Sequence, residues 1–417
     1  MRGVKLRTTL PNWVRIFLII LIIGVLVVLI YVNYQFVQQE PGGNDFLARW
    51  MGAKSWLVDG LSPYDPEVSL RSQEVIYGRP ARPEEGEDIA HFVYPLPAMI
   101  FFGPFGLLPY NEARTIWMTI LEICLPMLTW IGLSIAGWKP SRSMIVLLLV
   151  FSVLWYHGFR AVILGQFAII EAVLIAGGLL AIQREQDGIA GILLALSIAK
   201  PQMSFLILPF VIIWAISRRR WVLALSTVGA IILLVGISTL LLPSWILEWI
   251  QQVLSYPGYT ETLPPVGIIA DLFPTISSWI NLIGTASFIL YLLWEWFMAL
   301  GKGDRWFQWT AAMTVLVTNL IVFRTATTNY LVMVPGMIIV FSVIVDRWKK
   351  RGAITVMFLL LTLFFGLWGL FLITVDGNME SLVMYMPLPV FMLFSLWWIR
   401  WWYIRPTRLP MEASTPS

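Results

Sequence analysis

Apolar runs near twenty residues recur along the chain, separated by short polar breaks that hold most of its Lys and Arg. A helix of about 20 apolar residues crosses a bilayer, so the pattern predicts an all-α polytopic membrane protein. About twelve transmembrane helices are read, at 13–36, 111–137, 143–157, 163–182, 188–200, 203–217, 221–242, 277–300, 306–323, 329–345, 353–375 and 383–403. The runs 143–157, 188–200 and 203–217 are short for a full span, and the Lys200-Pro201 break widens the count to 11–13. Short or interrupted spans are tolerated only against protein or a water-filled cavity. The middle of the chain is therefore expected near a site.

The polar stretches are organised too. Residues 37–98 make a long first outer loop, and residues 46–57 in it carry apolar side chains at helical spacing. That predicts an amphipathic helix that lies in the interface and fixes the loop against the bundle. A second outer loop, 243–276, contains Trp245-Ile246-Leu247-Glu248-Trp249-Ile250, again an expected interfacial helix. Residues 97–110, broken by Pro97, Pro104 and Pro109, read as an interfacial or re-entrant piece. Residues 1–405 form one integral-membrane domain, and the polar tail 406–417 is expected to be disordered. No internal repeat stands out.

Composition narrows the class. Charged residues make up 12% of the chain, against roughly 25% in soluble domains, and its 22 Trp and 13 Tyr suit interfacial belts. With a cytoplasmic N-terminus, 17 of the Lys and Arg fall in inner segments and nine outside, five of them in the long loop. The charge is thus a topology signal and gives no reason to invoke nucleic acid. Both termini are expected in the cytoplasm and the first span as a retained anchor. A single cysteine, Cys124, excludes an intrachain disulfide.

Candidate chemistry gathers at the outer helix ends. Asp45, in Gly43-Asn44-Asp45-Phe46, follows the first span and opens the amphipathic stretch. A helix N-terminus there favours its carboxylate form, which can take a proton from a sugar hydroxyl. The alternative is a solvated loop carboxylate. Arg160, Lys200 and Arg324 depart from the positive-inside trend and make a candidate phosphate clamp; the alternative is separate snorkelling to lipid headgroups. Arg114, beside Glu112, reads as an exception without function. Glu122, Glu171 and Glu295 are intramembrane acids, which face a cavity or a partner. Tyr64, Asp65, His91, Tyr94, Gln166 and Gln202 are further substrate-pocket candidates. No His/Cys/Asp cluster has metal-ligand spacing, so no cofactor is firmly implied; a divalent cation shared by Asp45 with Asp65 or Asp88 stays open. No nucleotide-type Gly-rich loop and no serine-hydrolase elbow occurs.

These residues line up with a family. Asp45-Phe46 with Trp50 and Ala53, Gly60-Leu61-Ser62-Pro63-Tyr64-Asp65, Tyr94-Pro95-Leu96-Pro97 and Leu107-Leu108-Pro109-Tyr110 come in order. Gly165-Gln166, Ala199-Lys200-Pro201-Gln202 and Arg218-Arg219-Arg220-Trp221 follow. Together they resemble bacterial integral-membrane glycosyltransferases of family 87, over about the first half of the chain. The family often has Tyr-Pro-Pro where this chain has Tyr94-Pro95-Leu96, and Gly-Gln-x-Asn where it has Ala168. The second departure is expected to remove a hydrogen bond to a sugar hydroxyl. The resemblance implies a GT-C bundle in the plasma (inner) membrane with its site on the extracytoplasmic face. It also implies a polyprenyl-phosphate sugar donor, mannose foremost, a lipid or glycan acceptor, and an inverting displacement with Asp45 as base. Phosphate binding then falls to Lys200 and Arg324, helped by Arg160. Rival readings are a transporter or flippase of a lipid-linked sugar that uses the glutamates, and an inactive scaffold of the same fold. The polar first loop and the lack of inverted repeats speak against transport.

Overall fold

Proline, glycine and short polar breaks cut the apolar pattern into helices. The computed structural model describes residues 11–40, 42–255, 262–376 and 380–405; the tail 406–417 lies outside the described residues. In chain order the helices are α1 (Asn12–Gln39), α2 (Asn44–Lys54), α3 (Pro66–Tyr77), α4 (Met99–Gly106), α5 (Tyr110–Ala136) and α6 (Arg142–Leu154). Then come α7 (Tyr156–Leu164), α8 (Ala168–Gln183), α9 (Asp187–Leu196), α10 (Pro201–Ser204), α11 (Ile207–Ser217) and α12 (Trp221–Leu241). The last are α13 (Trp245–Ser255), α14 (Pro265–Asp271), α15 (Ser277–Ala299), α16 (Asp304–Ile321), α17 (Val334–Thr374, broken at Lys349) and α18 (Pro387–Ile404).

Length and composition support fewer spans than the twelve expected. Among the described residues six helical segments are long and apolar enough to cross a membrane, and a seventh if α6 and α7, bent by 45°, act as one. The difference lies in the middle of the chain. Helices α8, α9 and α11 are apolar but short, and they lie against neighbouring helices, where a helix need not reach both faces. Helix α16 is long but more polar. Its Thr314 and Thr318 hydroxyls donate to the carbonyls of Thr310 and Thr314, 2.8 Å each, and Trp296 Nε1 donates to Thr314 Oγ1 at 2.9 Å. These bonds satisfy the Thr314 and Thr318 hydroxyls where α16 lies buried between α15, α17 and α18.

Helix α5 packs against α1, α6, α8 and α17. Two of the three intramembrane acids are engaged in such packing. Asn33 of α1 donates to Glu122 at 2.7 Å, and Arg400 of α18 pairs with Glu295 at 2.9 Å.

At the end of the bundle where α5 begins, the segment between α2 and α4 and helix α13 clasp each other. Ser62 Oγ donates to Glu248 at 2.5 Å, Trp249 Nε1 to the Val93 carbonyl at 3.1 Å, and Gln252 Nε2 to the Tyr64 carbonyl at 3.0 Å. The expected amphipathic helix, α2, holds its loop against the bundle: Phe46, Leu47, Ala48, Trp50, Met51 and Ala53 are all buried. It lies against α3, α4 and α5. The Phe46 ring stacks on Trp117 with centroids 4.9 Å apart. Gly165, which caps α7 at φ +71°, lets Phe46 close in, since a Cβ there would stand 2.6 Å from the Phe46 Cβ.

Gly165→Val is therefore expected to force α2 away from α7 and to strain the left-handed cap. The melting temperature of the detergent-solubilised protein should fall by several degrees, in line with an overpacking cost of about 1–3 kcal/mol. An unchanged melting temperature would refute this account of the contact.

Candidate active site

The site begins with a turn. Gly43, the N-cap of α2, adopts φ +70°, and a Cβ there would meet Arg114 Nε at 2.8 Å and Tyr110 Oη at 3.1 Å. Those two side chains, one helical turn apart on α5, brace the turn. Tyr110 donates to the Gly42 carbonyl at 2.8 Å, and Arg114 Nη1 donates to the Glu40 carbonyl at 2.8 Å. Arg114 is 2% exposed, so the residue read as functionless anchors the chain between α1 and α2. Asp45 then falls in the first turn of α2, and Arg49, one turn on, pairs with it at 3.6 Å. The Arg49 guanidinium lies over the Tyr94 ring, 4.9 Å from its centroid.

Three further segments converge on this pair. Gly165 ends α7 and delivers Gln166. The non-helical residue between the end of α9 and Pro201 is Lys200, 3% exposed, and its Nζ donates to Gln166 Oε1 at 3.2 Å. After α16 the chain turns through Arg324, which donates to the Thr262 carbonyl at 2.7 Å. Asp45, Arg49, Tyr94, Gln166, Lys200, Gln202 and Arg324 line one cavity of about 160 Å³, with Val253 of α13 also on its wall. It sets one carboxylate beside three cations, two amides and a phenol. Burial pushes the Tyr94 phenol up to about 12, so it keeps its proton and can donate.

Several expected site residues lie elsewhere. Arg160 does not line this cavity. Its Nη1 donates to Tyr156 Oη at 2.9 Å, and its guanidinium stands 3.7 Å from Glu380. Glu380 also accepts from Tyr156 Oη at 2.5 Å and from Thr327 Oγ1 at 2.7 Å. The clamp residue of the sequence reading is thus a tie between α7 and the segment that follows Arg324. Tyr64 donates to the Tyr94 carbonyl at 2.8 Å and supports Tyr94 from behind. Asp65 caps α3 by accepting from the Glu67 amide at 2.9 Å. His91 Nδ1 meets Ser69 Oγ at 2.5 Å, and burial lowers its pKa. Ala168 is fully buried at the start of α8 and does not line the cavity. The expected loss of a sugar contact there is therefore corrected: the position belongs to the core.

Glu171, the third intramembrane acid, is fully buried within electrostatic reach of Lys200, and neither carboxylate oxygen has a hydrogen-bond partner among the described residues. Among the described residues no group of three or more His, Cys, Asp or Glu gathers to hold a metal. Sequence reasoning missed Arg49 and Glu380. Arg49 was legible, because i and i+4 share a helix face; Glu380 was not, because its partners lie over fifty residues away or more.

The model of glycosyltransferase family 87 matches residues 92–318, more than half of the 417-residue chain. The match runs past the first half, where the resemblance had been read, into α16. It contains Tyr94, Gln166, Lys200 and Gln202; Asp45 and Arg49 precede it and Arg324 follows it. No curated protein and no solved structure matches the chain.

Removing the carboxylate of the tie, Glu380→Gln, should cost about 1.5–3 kcal/mol, the range for a hydrogen bond to a charged group. Thermal unfolding in detergent reads it. The double variant Arg160→Gln/Glu380→Gln should lose less than the sum of the single losses, and strict additivity would dissolve the pairing.

Proposed function

The chain belongs to glycosyltransferase family 87, and from that membership we propose that it transfers mannose from a polyprenyl-phosphate donor to a lipid or glycan acceptor. The observation that carries this reading is the single cavity that holds Asp45 beside Arg49, Lys200 and Arg324. An acceptor hydroxyl is a weak nucleophile until its proton leaves. Asp45 takes that proton, a contribution of typically 10²–10⁴-fold. The hydroxyl oxygen attacks the anomeric carbon as the bond from that carbon to the phosphate oxygen breaks. The configuration inverts, so a β-linked donor gives an α-linked product.

The polyprenyl phosphate leaves with the bonding electron pair. Lys200 and Arg324 stabilise the charge that grows on it, as fixed cations do in a site that needs no reorganisation. Arg49 holds Asp45 in place. Tyr94, Gln166 and Gln202 supply hydrogen bonds for sugar hydroxyls. The distribution of Lys and Arg along the chain supports a cavity on the extracytoplasmic face of the plasma membrane. Of the acids a transporter would use, Glu122 is engaged by Asn33 and Glu295 by Arg400, while Glu171 keeps no hydrogen-bond partner among the described residues. The polar first loop and the lack of inverted repeats weigh against transport.

The test is sugar transfer from synthetic polyprenyl-phosphate mannose to glycolipid acceptors by the purified protein in lipid. Asp45→Asn should cut kcat at least a hundredfold while the protein stays folded. Lys200→Gln and Arg324→Gln should each raise the donor KM about tenfold or more. Wild-type rates in Asp45→Asn would remove the base. Uptake of lipid-linked sugar into vesicles without any transfer would replace the enzyme with a transporter.

A further inference from the structure

A second, larger cavity lies at the far end of the bundle. Tyr110, which braces the Asp45 turn, begins α5; residues 135–139, at the end of α5, help line this other cavity. The 27 residues of α5, at about 1.5 Å each, place the two roughly 40 Å apart. The volume of the second cavity is about 720 Å³, and its wall comes from the helix ends of α5, α8, α16 and α18 and the part of α17 before its break.

Its chemistry is one-sided. Lys139, Arg305, Arg347 and Arg405 face it together with Asp304 and Asp346. Both carboxylates have other duties. Asp346 pairs with Lys349 at 2.9 Å, outside the lining, and Asp304 occupies the first turn of α16, where a helix favours an acid. Among the described residues none of the four cations makes an ion pair. Two of them are held in place by aromatic faces instead: Arg347 lies over the Trp402 ring, 4.1 Å from its centroid, and Arg405 over Trp401. Arg305 donates to the Arg405 carbonyl at 3.1 Å. Guanidinium groups fixed in this way, with their forks unengaged by carboxylates, match the geometry of a phosphate. Tryptophans at a helix end lie at headgroup depth, and basic pockets between membrane helices take anionic headgroups.

We propose that this cavity binds the phosphate of an anionic phospholipid from the leaflet opposite the Asp45 cavity. Free phosphate shares the chemistry, but the tryptophan rim and the position between span ends favour a lipid. The cations are exposed, so neutralising them leaves the packing alone. The test uses the full-length protein in a zwitterionic detergent. Short-chain phosphatidylglycerol, short-chain phosphatidylcholine and inorganic phosphate are titrated separately, and the melting temperature is followed.

Phosphatidylglycerol should raise the melting temperature of the wild type, and phosphatidylcholine should not. The double variant Arg305→Gln/Arg347→Gln should need at least ten times more phosphatidylglycerol for the same shift, and Arg347→Lys should recover part of it. Sugar transfer by the double variant should stay within twofold of wild type, because the Asp45 cavity is untouched. An equal response of wild type and double variant, or none in either, would overturn the site. A response to inorganic phosphate as strong as that to phosphatidylglycerol would overturn the lipid as its source.

Discussion

The contact of Phe46 with Gly165 is the constraint on which this end of the structure depends. It fixes α2 against the bundle, and everything chemical at that end follows from it. Phe46 stacks on Trp117, which in turn meets Phe105 at 5.2 Å and Phe102 at 5.4 Å; Phe102 continues to Phe167 at 5.4 Å. Such pairs add about 0.5–1.5 kcal/mol each beyond the area they bury. The chain joins α2, α4, α5 and the residue after Gln166, so Asp45 on α2 and Gln166 beside Phe167 are set by one packed unit. A carboxylate on a free loop would have no such register with the cations opposite.

That rigidity has a cost which the polar contacts offset. Burying the Lys200 ammonium almost completely is costly unless it is both paired and hydrogen-bonded; Gln166 supplies a bond at 3.2 Å, and Asp45 and Glu171 lie within electrostatic reach. Arg324 is tied to the Thr262 carbonyl, and Arg49 to Asp45 and the Tyr94 ring. Each cation is held, yet only Asp45 among the lining residues carries a negative charge. On the proposed reading, the donor phosphate completes the charge balance of a site assembled before it arrives. The second cavity, at the other end of α5, follows the same logic with aromatic faces in place of amides.

Much of this was legible in the chain. Asp45 stood out because a carboxylate followed the first span at a helix start, and Lys200 and Arg324 because cations at outer helix ends break a topological rule. Gln166, Gln202 and Tyr94 came with them. The rest depended on tertiary contacts that no local pattern encodes. Arg160 broke the same rule, but its reason is Glu380, 220 positions along the chain. Arg114 looked idle because its partners are backbone carbonyls. The expected helix count goes past the six or seven segments long and apolar enough to cross a membrane, because hydropathy does not separate a short apolar helix packed inside a bundle from a full span. The amphipathicity of residues 46–57 was legible, and its apolar face holds the loop against the bundle.

The departures from the family pattern can now be weighed by position. Leu96 replaces a proline in a 3₁₀ turn and is 1% exposed, and Ala168 opens α8 fully buried. Neither lines the Asp45 cavity. An Asn at 168 would bring a polar amide into the core, where it needs a partner; Ala needs none. Leu96 and the neighbouring Pro97 keep the turn closed behind Tyr94, whose ring meets Phe167 at 5.9 Å. Both changes thus act on the packing that sets Tyr94 and Gln166 in place and leave the polar groups of the cavity as they are. On the proposed reading, Gln166, Gln202, Tyr94 and the Thr325-Ala326 edge are among the lining positions at which sugar selectivity would arise.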